Sequence, residues 1–417
     1  MENLKAFITS RGFVFGFGGI VVGLACLILI TASAIAENWF LILITRWPYI
    51  PLLITPAGFI IITWLTHTFF KGAQGSGIPQ TLFAIKSPHS HRAQSYLSLK
   101  ALIGKYLVVL AYLCGGSLGY EGPAVHLGAA VMATIEKFLR VERQHIQRGL
   151  IVAGGAAGLA AAFSAPLTGI VFAIEELSKA YKGKLTSYIL FAIILSGLSC
   201  YIFLGHYTFL GHAMDDIPGN LHGFFSYLSI PVCGVIGGAL GSLFGIVLVY
   251  GNKKLHQLKG RYIFLIAGVA GLVVALISIY SHGYTSGCGD RAVRAIAAGQ
   301  GSSLLYAPLK MLATLATYLA GIPVGLFAPS LAIGAGLSHW MVLLLPQANP
   351  QAVLLLIMVA YLCGVTQAPL TSFTIVMEIT GQDAMLLPLM ATSLIAKLIA
   401  GAIAKTPMYE ALIAFLD

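Results

Sequence analysis

Four glutamates lie deep in otherwise apolar sequence, and they are the residues of this chain best suited to chemistry. They are Glu121, Glu175, Glu176 and Glu378. A carboxylate at the centre of a bilayer costs about 2.5–3.5 kcal/mol on insertion scales, so such a residue is paired, protonated or functional. Each of the four must therefore carry protons, gate a polar path or hold the structure together.

Glu121 lies inside the motif Gly119–Pro123 (GYEGP), with no lysine or arginine close to it in sequence. Glycine lets the backbone bend with its N–H groups exposed, and proline suits the first turn of the helix that follows. N–H groups at a helix N-terminus carry partial positive charge and favour an anion. An ionised Glu121 could occupy those donors and leave them when protonated, which predicts a gate that also carries a proton. The alternative is a buried structural acid.

Glu175 and Glu176 are predicted to do different jobs, because adjacent side chains on a helix point about 100° apart. Glu175 has a counterpart, Glu378, at a spacing of 203 residues, which favours a shared structural role. Glu176 has no acidic counterpart and lies three residues before Lys179. We predict that Glu176 relays protons on the cytoplasmic side.

Two motifs recur at nearly the same spacing. Residues Gly119–Gly128 align with Gly325–Gly334 at an offset of 206, and Ala165–Thr168 recurs as Ala368–Thr371 at an offset of 203. Two halves, at about 1–210 and 211–417, are predicted to share one plan. In transporters such halves are often inverted, and the substrate binds between broken helices at the midplane. The alternative for the glycines is close helix packing by small residues.

The amino-acid composition indicates which kind of secondary structure positions these residues. Charged residues make up 9% of the chain and mean hydropathy is +0.90, whereas an ordinary soluble domain has roughly a quarter of its residues charged. The sequence predicts an all-α polytopic membrane protein with ten or more spans, as one transmembrane domain without a soluble regulatory domain. It excludes a soluble enzyme and gives no reason to expect a nucleic-acid partner.

Basic residues concentrate in four loops, which the positive-inside rule assigns to the cytoplasm. These loops contain Lys86, Arg92, Lys100 and Lys105; Lys137, Arg140, Arg143 and Arg148; Lys179, Lys182 and Lys184; and Lys253, Lys254, Lys259 and Arg261. Both termini are predicted to be cytoplasmic, in an inner (plasma) membrane. The six cysteines have no zinc-site spacing, and we predict neither a metal nor a cofactor.

Four motifs, taken in order, resemble those of the CLC chloride channel and transporter family. They are Gly75–Pro79 (GSGIP), Gly119–Pro123 (GYEGP), Gly325–Pro329 (GLFAP) and Tyr409 in a Pro-x-Tyr context. The resemblance covers about residues 75–410. It implies a CLC-type inverted repeat of many tilted, partly broken helices, and a homodimer with one pore per subunit.

The resemblance also implies a chloride site. The hydroxyls of Ser76 and Tyr409 and the backbone N–H groups of Leu326 and Phe327 would hold a central chloride. From chemistry alone, Ser76 and Tyr409 are only suggestive anion ligands. We add to the chloride-binding set the motif glycines Gly75 and Gly122.

In the same family comparison Glu121 is similar to the external gating glutamate, and Glu176 falls on the internal proton-transfer position. An acid there favours a chloride/proton antiporter, with chloride and protons as its substrates. One departure is Tyr120, where the family usually has a basic residue. The runner-up is a passive voltage- or pH-gated chloride channel on the same fold.

Two further functions remain open from the residues alone. A membrane enzyme would use Ser117 in a Gly-x-Ser-x-Gly match with His126 as its partner. A cation-coupled transporter of an organic solute would also be compatible with the repeat.

Overall fold

The computed structural model describes residues 10–139, 144–181, 185–205, 223–257, 260–300 and 303–416. These residues fold into α-helices, and in them β-pairing is limited to three isolated bridges. The helices in chain order are α1 Arg11–Arg46, α2 Pro51–Thr68, α3 Ile78–Lys86, α4 His91–Tyr96, α5 Leu99–Lys105, α6 Leu107–Leu113, α7 Glu121–Leu139, α8 Gln144–Phe163, α9 Pro166–Glu175, α10 Ser187–Leu204, α11 Phe224–Gln257, α12 Arg261–Tyr280, α13 Asp290–Ala297, α14 Tyr306–Leu319, α15 Phe327–Leu344, α16 Pro350–Thr366, α17 Pro369–Thr380, α18 Leu386–Ile403 and α19 Met408–Ile413. The predicted all-α fold is confirmed.

Eight helices in the described part of the chain are long and apolar enough to cross a membrane. This is fewer than the ten or more spans expected from composition. Several apolar stretches instead form helices too short to cross a bilayer alone, such as α3 with nine residues and α9 with ten. Short helices that stop inside the apolar layer leave backbone donors there, which is tolerated only where they line a cavity or are buried in protein.

Helices α7 and α8 pack through glycine. A Cβ atom at Gly128 would overlap the carbonyl of Gly154, and one at Gly154 would overlap the carbonyl of Gly128. Gly158 lies in the same way against the carbonyl of Ala124. Small residues let membrane helices approach at backbone distance. The packing interpretation is therefore right for these glycines, whereas those of the signature motifs contact the candidate site described below.

Two glutamates tie the halves of the repeat together. Glu175, at the end of α9, accepts hydrogen bonds from the N–H groups of Leu370 (2.9 Å) and Thr371 (2.7 Å), in the first turn of α17. Glu378, in α17, accepts from the N–H of Thr168 (2.7 Å) and from its hydroxyl (2.8 Å), in the first turn of α9. Each carboxylate caps the helix that carries its counterpart, which confirms the structural role predicted for Glu175.

Several of the predicted cytoplasmic segments share one face of the molecule. Arg92 Nη1 donates to the carbonyl of Leu416 (3.0 Å), and the ring of His256 near the end of α11 stacks on Phe415 at 5.6 Å. Residues 1–9, 140–143, 182–184 and 258–259, which hold Lys5, Arg140, Arg143, Lys182, Lys184 and Lys259, lie outside the described residues.

Lys105 departs from the pattern predicted for the basic loops. Its side chain is fully buried, so it does not lie in a solvated cytoplasmic loop. A lysine inside the protein needs polar partners to replace water, and its partner is described below.

Candidate anion and proton site

The centre of the site is a backbone pairing between the two halves of the repeat. Gly119 donates its N–H to the carbonyl of Gly325 (2.9 Å), and Gly325 donates to the carbonyl of Gly119 (2.7 Å). The two glycines are equivalent in the repeat, so the pairing lies on its symmetry axis. A second bridge involves the residue before Gly325: Val324 donates its N–H to the carbonyl of Gly75 (3.2 Å). The signature motifs, far apart in sequence, thus meet at one place.

Glu121 begins α7 directly after this pairing, and its side chain is buried, with 1% of its surface exposed. Its carboxylate packs against the backbone of Gly119 and of Gly325, where a Cβ atom on Gly325 would lie 3.0 Å from Oε2. The backbone N–H of Ala328, in the first turn of α15, faces the same carboxylate. The N-terminus of α15 thus presents its donors to an acid from the other half of the repeat.

Ser76 and Tyr409 lie close to Glu121. The Ser76 hydroxyl fills the space that a Cβ atom on Gly122 would need, which explains the glycine after Glu121. The hydroxyls of Ser76 and Tyr409 face each other. Both residues are 1% exposed, and neither hydroxyl has a hydrogen-bond partner within the protein. Buried polar groups are nearly always satisfied, so two unsatisfied hydroxyls that face each other suit a polar ligand.

The start of α15 completes this group. Leu326 precedes the helix and Phe327 is its first residue, so their N–H groups have no acceptor within it. The Phe327 ring lies between the rings of Phe172, at 6.3 Å, and Tyr409, at 6.1 Å. Aromatic packing of this kind fixes the first turn of α15 against Tyr409.

Gly75 belongs to the same site, because its carbonyl accepts the hydrogen bond from the Val324 N–H. A positive φ of 66° makes glycine the residue of choice at that position. The structure thus brings together seven of the eight sequence-predicted site residues: Gly75, Ser76, Glu121, Gly122, Leu326, Phe327 and Tyr409.

Glu176 lies apart from this group, where α9 ends. It is 2% exposed, and its Oε2 accepts from Lys179 Nζ at 2.7 Å, while its Oε1 has no hydrogen-bond partner. Lys179 is 32% exposed, so the pair lies at the edge of the buried region. Tyr409 is close enough to both Glu176 and Glu121 for their charges to act on its hydroxyl.

The sequence analysis did not predict that two buried lysines lie at or near the site. Lys105 Nζ donates to the carbonyl of Gly75 (3.0 Å), and Lys310 Nζ donates to the carbonyls of Thr285 (2.9 Å) and Gly287 (2.7 Å). Both lysines are fully buried. They are 205 residues apart and the carbonyls of Gly75 and Thr285 are 210 apart, so each half uses its lysine in a corresponding way. The repeat spacing was the sequence signal that could have found them.

The contacts of Ser117 do not support the enzyme interpretation. Its hydroxyl pairs with that of Thr314 at 2.9 Å, and its N–H donates to the Thr317 hydroxyl at 3.1 Å. His126 Nε2 instead lies 2.8 Å from the carbonyl of Tyr96. A serine nucleophile needs a base within hydrogen-bond reach, and threonine cannot serve as one.

Residues 58–401 match the family described as voltage gated chloride channel. The match spans most of the chain, and the protein belongs to this family, the CLC family of membrane anion transporters and channels, which the resemblance had identified. Of the site residues, Tyr409 lies beyond the matched range.

Solved structures share the fold of this chain. A slow cyanobacterial Cl⁻/H⁺ antiporter matches with a TM-score of 0.84 and 23% identity, over 97% of each chain. A eukaryotic CLC transporter matches with a TM-score of 0.79 and 22% identity, over 99% of this chain and 75% of that one. A CLC-type fluoride/proton antiporter matches with a TM-score of 0.79 and 21% identity, over 95% of this chain and 96% of that one. The predicted CLC-type fold is confirmed.

Proposed function

We propose that this protein exchanges chloride for protons across the membrane, with Glu121 as the gate and Glu176 as the inner proton relay. The observation that carries the proposal is the buried Glu121 carboxylate, which packs against the backbone of Gly119 and Gly325 just before α15 begins and lies close to the Ala328 N–H. An anion on the path would need the same donors. Chloride and the ionised carboxylate therefore compete, and protonation of Glu121 frees the donors for chloride.

The hydroxyls of Ser76 and Tyr409 support a chloride site next to the Glu121 gate. Together with the N–H groups of Leu326 and Phe327, they offer neutral donors and no full positive charge. Such donors replace part of the hydration of an anion and still let it leave, as conduction requires. Gly75 and Gly122 supply the close backbone approach around Ser76.

Glu176 supports coupling to protons rather than passive flow. It is a buried acid with one oxygen held by Lys179 and one oxygen without a protein partner. Its position at the edge of the buried region gives it access to protons from the face that carries Lys179. Ionisable residues inside membrane proteins commonly form such relays.

The test uses purified protein in liposomes with a chloride gradient and no initial pH gradient. Potassium and valinomycin clamp the membrane potential near the chloride equilibrium value, and external pH is followed. We expect chloride to drive protons uphill in the native protein, and we expect Glu176→Gln to abolish proton movement while chloride still crosses. Asp383→Asn removes an exposed acid and serves as the matched control. Chloride flux without proton movement in the native protein would make it a passive channel.

A further inference from the structure

A second group of polar side chains lies around Gly287 and has no part in the proposed transport mechanism. It consists of Glu37 in α1, Cys288, and Asp290 at the start of α13, which we call the outer cluster. One ligand atom from each residue lies within 4.8 Å of the other two. Glu37 and Asp290 are partly exposed and Cys288 is buried.

The backbone is shaped around these side chains. The Glu37 carboxylate fills the space that a Cβ atom on Gly287 would need, and Gly287 has a positive φ of 60°. Cys288 Sγ lies 3.5 Å from Asp290 Oδ1. A tetrahedral zinc ion bound at about 2.0–2.3 Å holds its ligands roughly 3.5 Å apart. Small side-chain rotations would therefore bring the three ligand atoms onto one ion.

Tyr306 gives a second and independent indication of a ligand. Its side chain is 4% exposed, and its hydroxyl has no hydrogen-bond partner in the protein. The hydroxyl would lie 2.9 Å from a Cβ atom on Gly289, the residue between Cys288 and Asp290. A buried phenol with an unmet hydrogen bond thus faces the outer cluster. It could serve a fourth ligand, such as a water on the ion.

Among the described residues, three cations lie close to the outer cluster: Lys310, Arg294 and Arg291, whose guanidinium stacks on the Tyr284 ring at 4.9 Å. Lys310 Nζ donates to the carbonyls of Thr285 and Gly287. Arg294 pairs with Asp290 Oδ2 at 2.9 Å, which leaves Oδ1 on the side of Cys288. Once the thiol loses its proton, the three ligands carry three negative charges, as many as the positive charges of Lys310, Arg291 and Arg294. One thiolate among oxygen ligands suits zinc and not calcium or magnesium, which require oxygen alone.

We propose that Glu37, Cys288 and Asp290 bind one zinc ion and that the bound ion slows transport. Gly287 connects the outer cluster to the gate, because it accepts from Leu118 N–H (3.0 Å) and donates to the Gly116 carbonyl (2.8 Å). Leu118 is three residues from Glu121. Zinc would stiffen this bridge and add positive charge near an ionised Glu121, which favours the closed gate. The effect on transport rests on the proposed function, whereas zinc binding does not.

Binding is tested first, on purified full-length protein in detergent with zinc alone. We expect isothermal titration calorimetry to give one zinc per chain, and X-ray absorption at the zinc edge to show one sulfur ligand at about 2.3 Å. Cys288→Ser should weaken binding by at least tenfold, and Glu37→Gln should also weaken it. Cys114→Ser, at a half-buried cysteine of another helix end, is the control and should bind zinc as the native protein does. No zinc bound, or zinc without a sulfur ligand, would overturn the site even if a variant failed to fold.

The effect on transport is tested second, with zinc added outside chloride-loaded liposomes. We expect zinc to slow chloride efflux in native protein and in Cys114→Ser, and to have little effect in Glu37→Gln. Zinc that binds through sulfur but leaves chloride efflux unchanged would overturn the link to the gate. If chloride moves without protons, the proposed exchange fails, yet the sulfur-bound zinc is still expected.

Discussion

Glu121 is the residue at which we propose that an anion and a proton compete for the same backbone donors. Its carboxylate contacts the paired glycines Gly119 and Gly325 and faces the first turn of α15. The motif alone predicted a carboxylate among N–H donors. The motif could not predict which N–H donors of α15 lie near the carboxylate, because they come from the other half of the chain, more than 200 residues away in sequence.

The variant Glu121→Gln is expected to keep chloride movement and to lose proton coupling. Glutamine keeps the size of the side chain but cannot ionise, so it neither competes with chloride as an anion nor carries a proton. The measurement is proton uptake against chloride efflux in the same liposomes. The control is Glu136→Gln, a partly buried acid in the same helix. Proton coupling that survived Glu121→Gln would remove Glu121 from the gate.

Helices that begin inside the protein explain why the site has free backbone donors. Helices α3 and α15 begin within the folded core, at Ile78 and Phe327, and both residues are almost fully buried. The glycine–proline motifs predicted these breaks, since they favour bends before helix starts. The sequence did not predict the buried lysines, because a lysine between apolar segments has the same pattern as one in a basic loop.

Glu175 and Glu378 cap each other's helices, so their loss should weaken the contact between the halves by similar amounts. Each carboxylate accepts two backbone N–H bonds, and hydrogen bonds to charged groups contribute about 1.5–3 kcal/mol each. Both carboxylates are partly exposed, so we expect Glu175→Ala and Glu378→Ala each to lower stability by less than the full sum, about 2–4 kcal/mol. The measurement is the thermal unfolding midpoint in detergent.

The control for these two variants is Asp383→Ala, which removes an exposed acid near the end of α17. It should leave the midpoint nearly unchanged. Equal midpoints for Asp383→Ala and Glu378→Ala would show that the reciprocal capping does not hold the halves together.

At the scale of the whole molecule, the internal repeat allowed the fold to be predicted from the sequence. Gly119 and Gly325 were aligned by spacing and prove to be hydrogen-bonded to each other. Contacts without a repeated motif were not predictable. Glu37 and Cys288 are 251 residues apart in sequence. They meet because the Glu37 carboxylate of α1 packs against Gly287. The homodimer implied by the family remains a prediction.

The orientation of the molecule in the membrane can be tested with single cysteines on its two faces. Tyr49, 73% exposed, lies between α1 and α2. Helix α2 has 18 residues, about 27 Å long, and His67 near its far end shares a cavity with His256 of α11. Lys254 lies in the last turn of α11 and is exposed, so it belongs to the face opposite Tyr49.

The positive-inside rule assigns the face of Lys254 to the cytoplasm. In intact cells we therefore expect a membrane-impermeant maleimide to label Tyr49→Cys and not Lys254→Cys, and both to be labelled after permeabilisation. Ser87→Cys, in the loop that reaches Leu416 through Arg92, should behave as Lys254→Cys does. The native chain is the control, since five of its cysteines are buried and Cys114 is half-buried. Labelling of Lys254→Cys alone in intact cells would reverse the orientation and place Glu176 on the outside, where it could not relay protons from the cytoplasm.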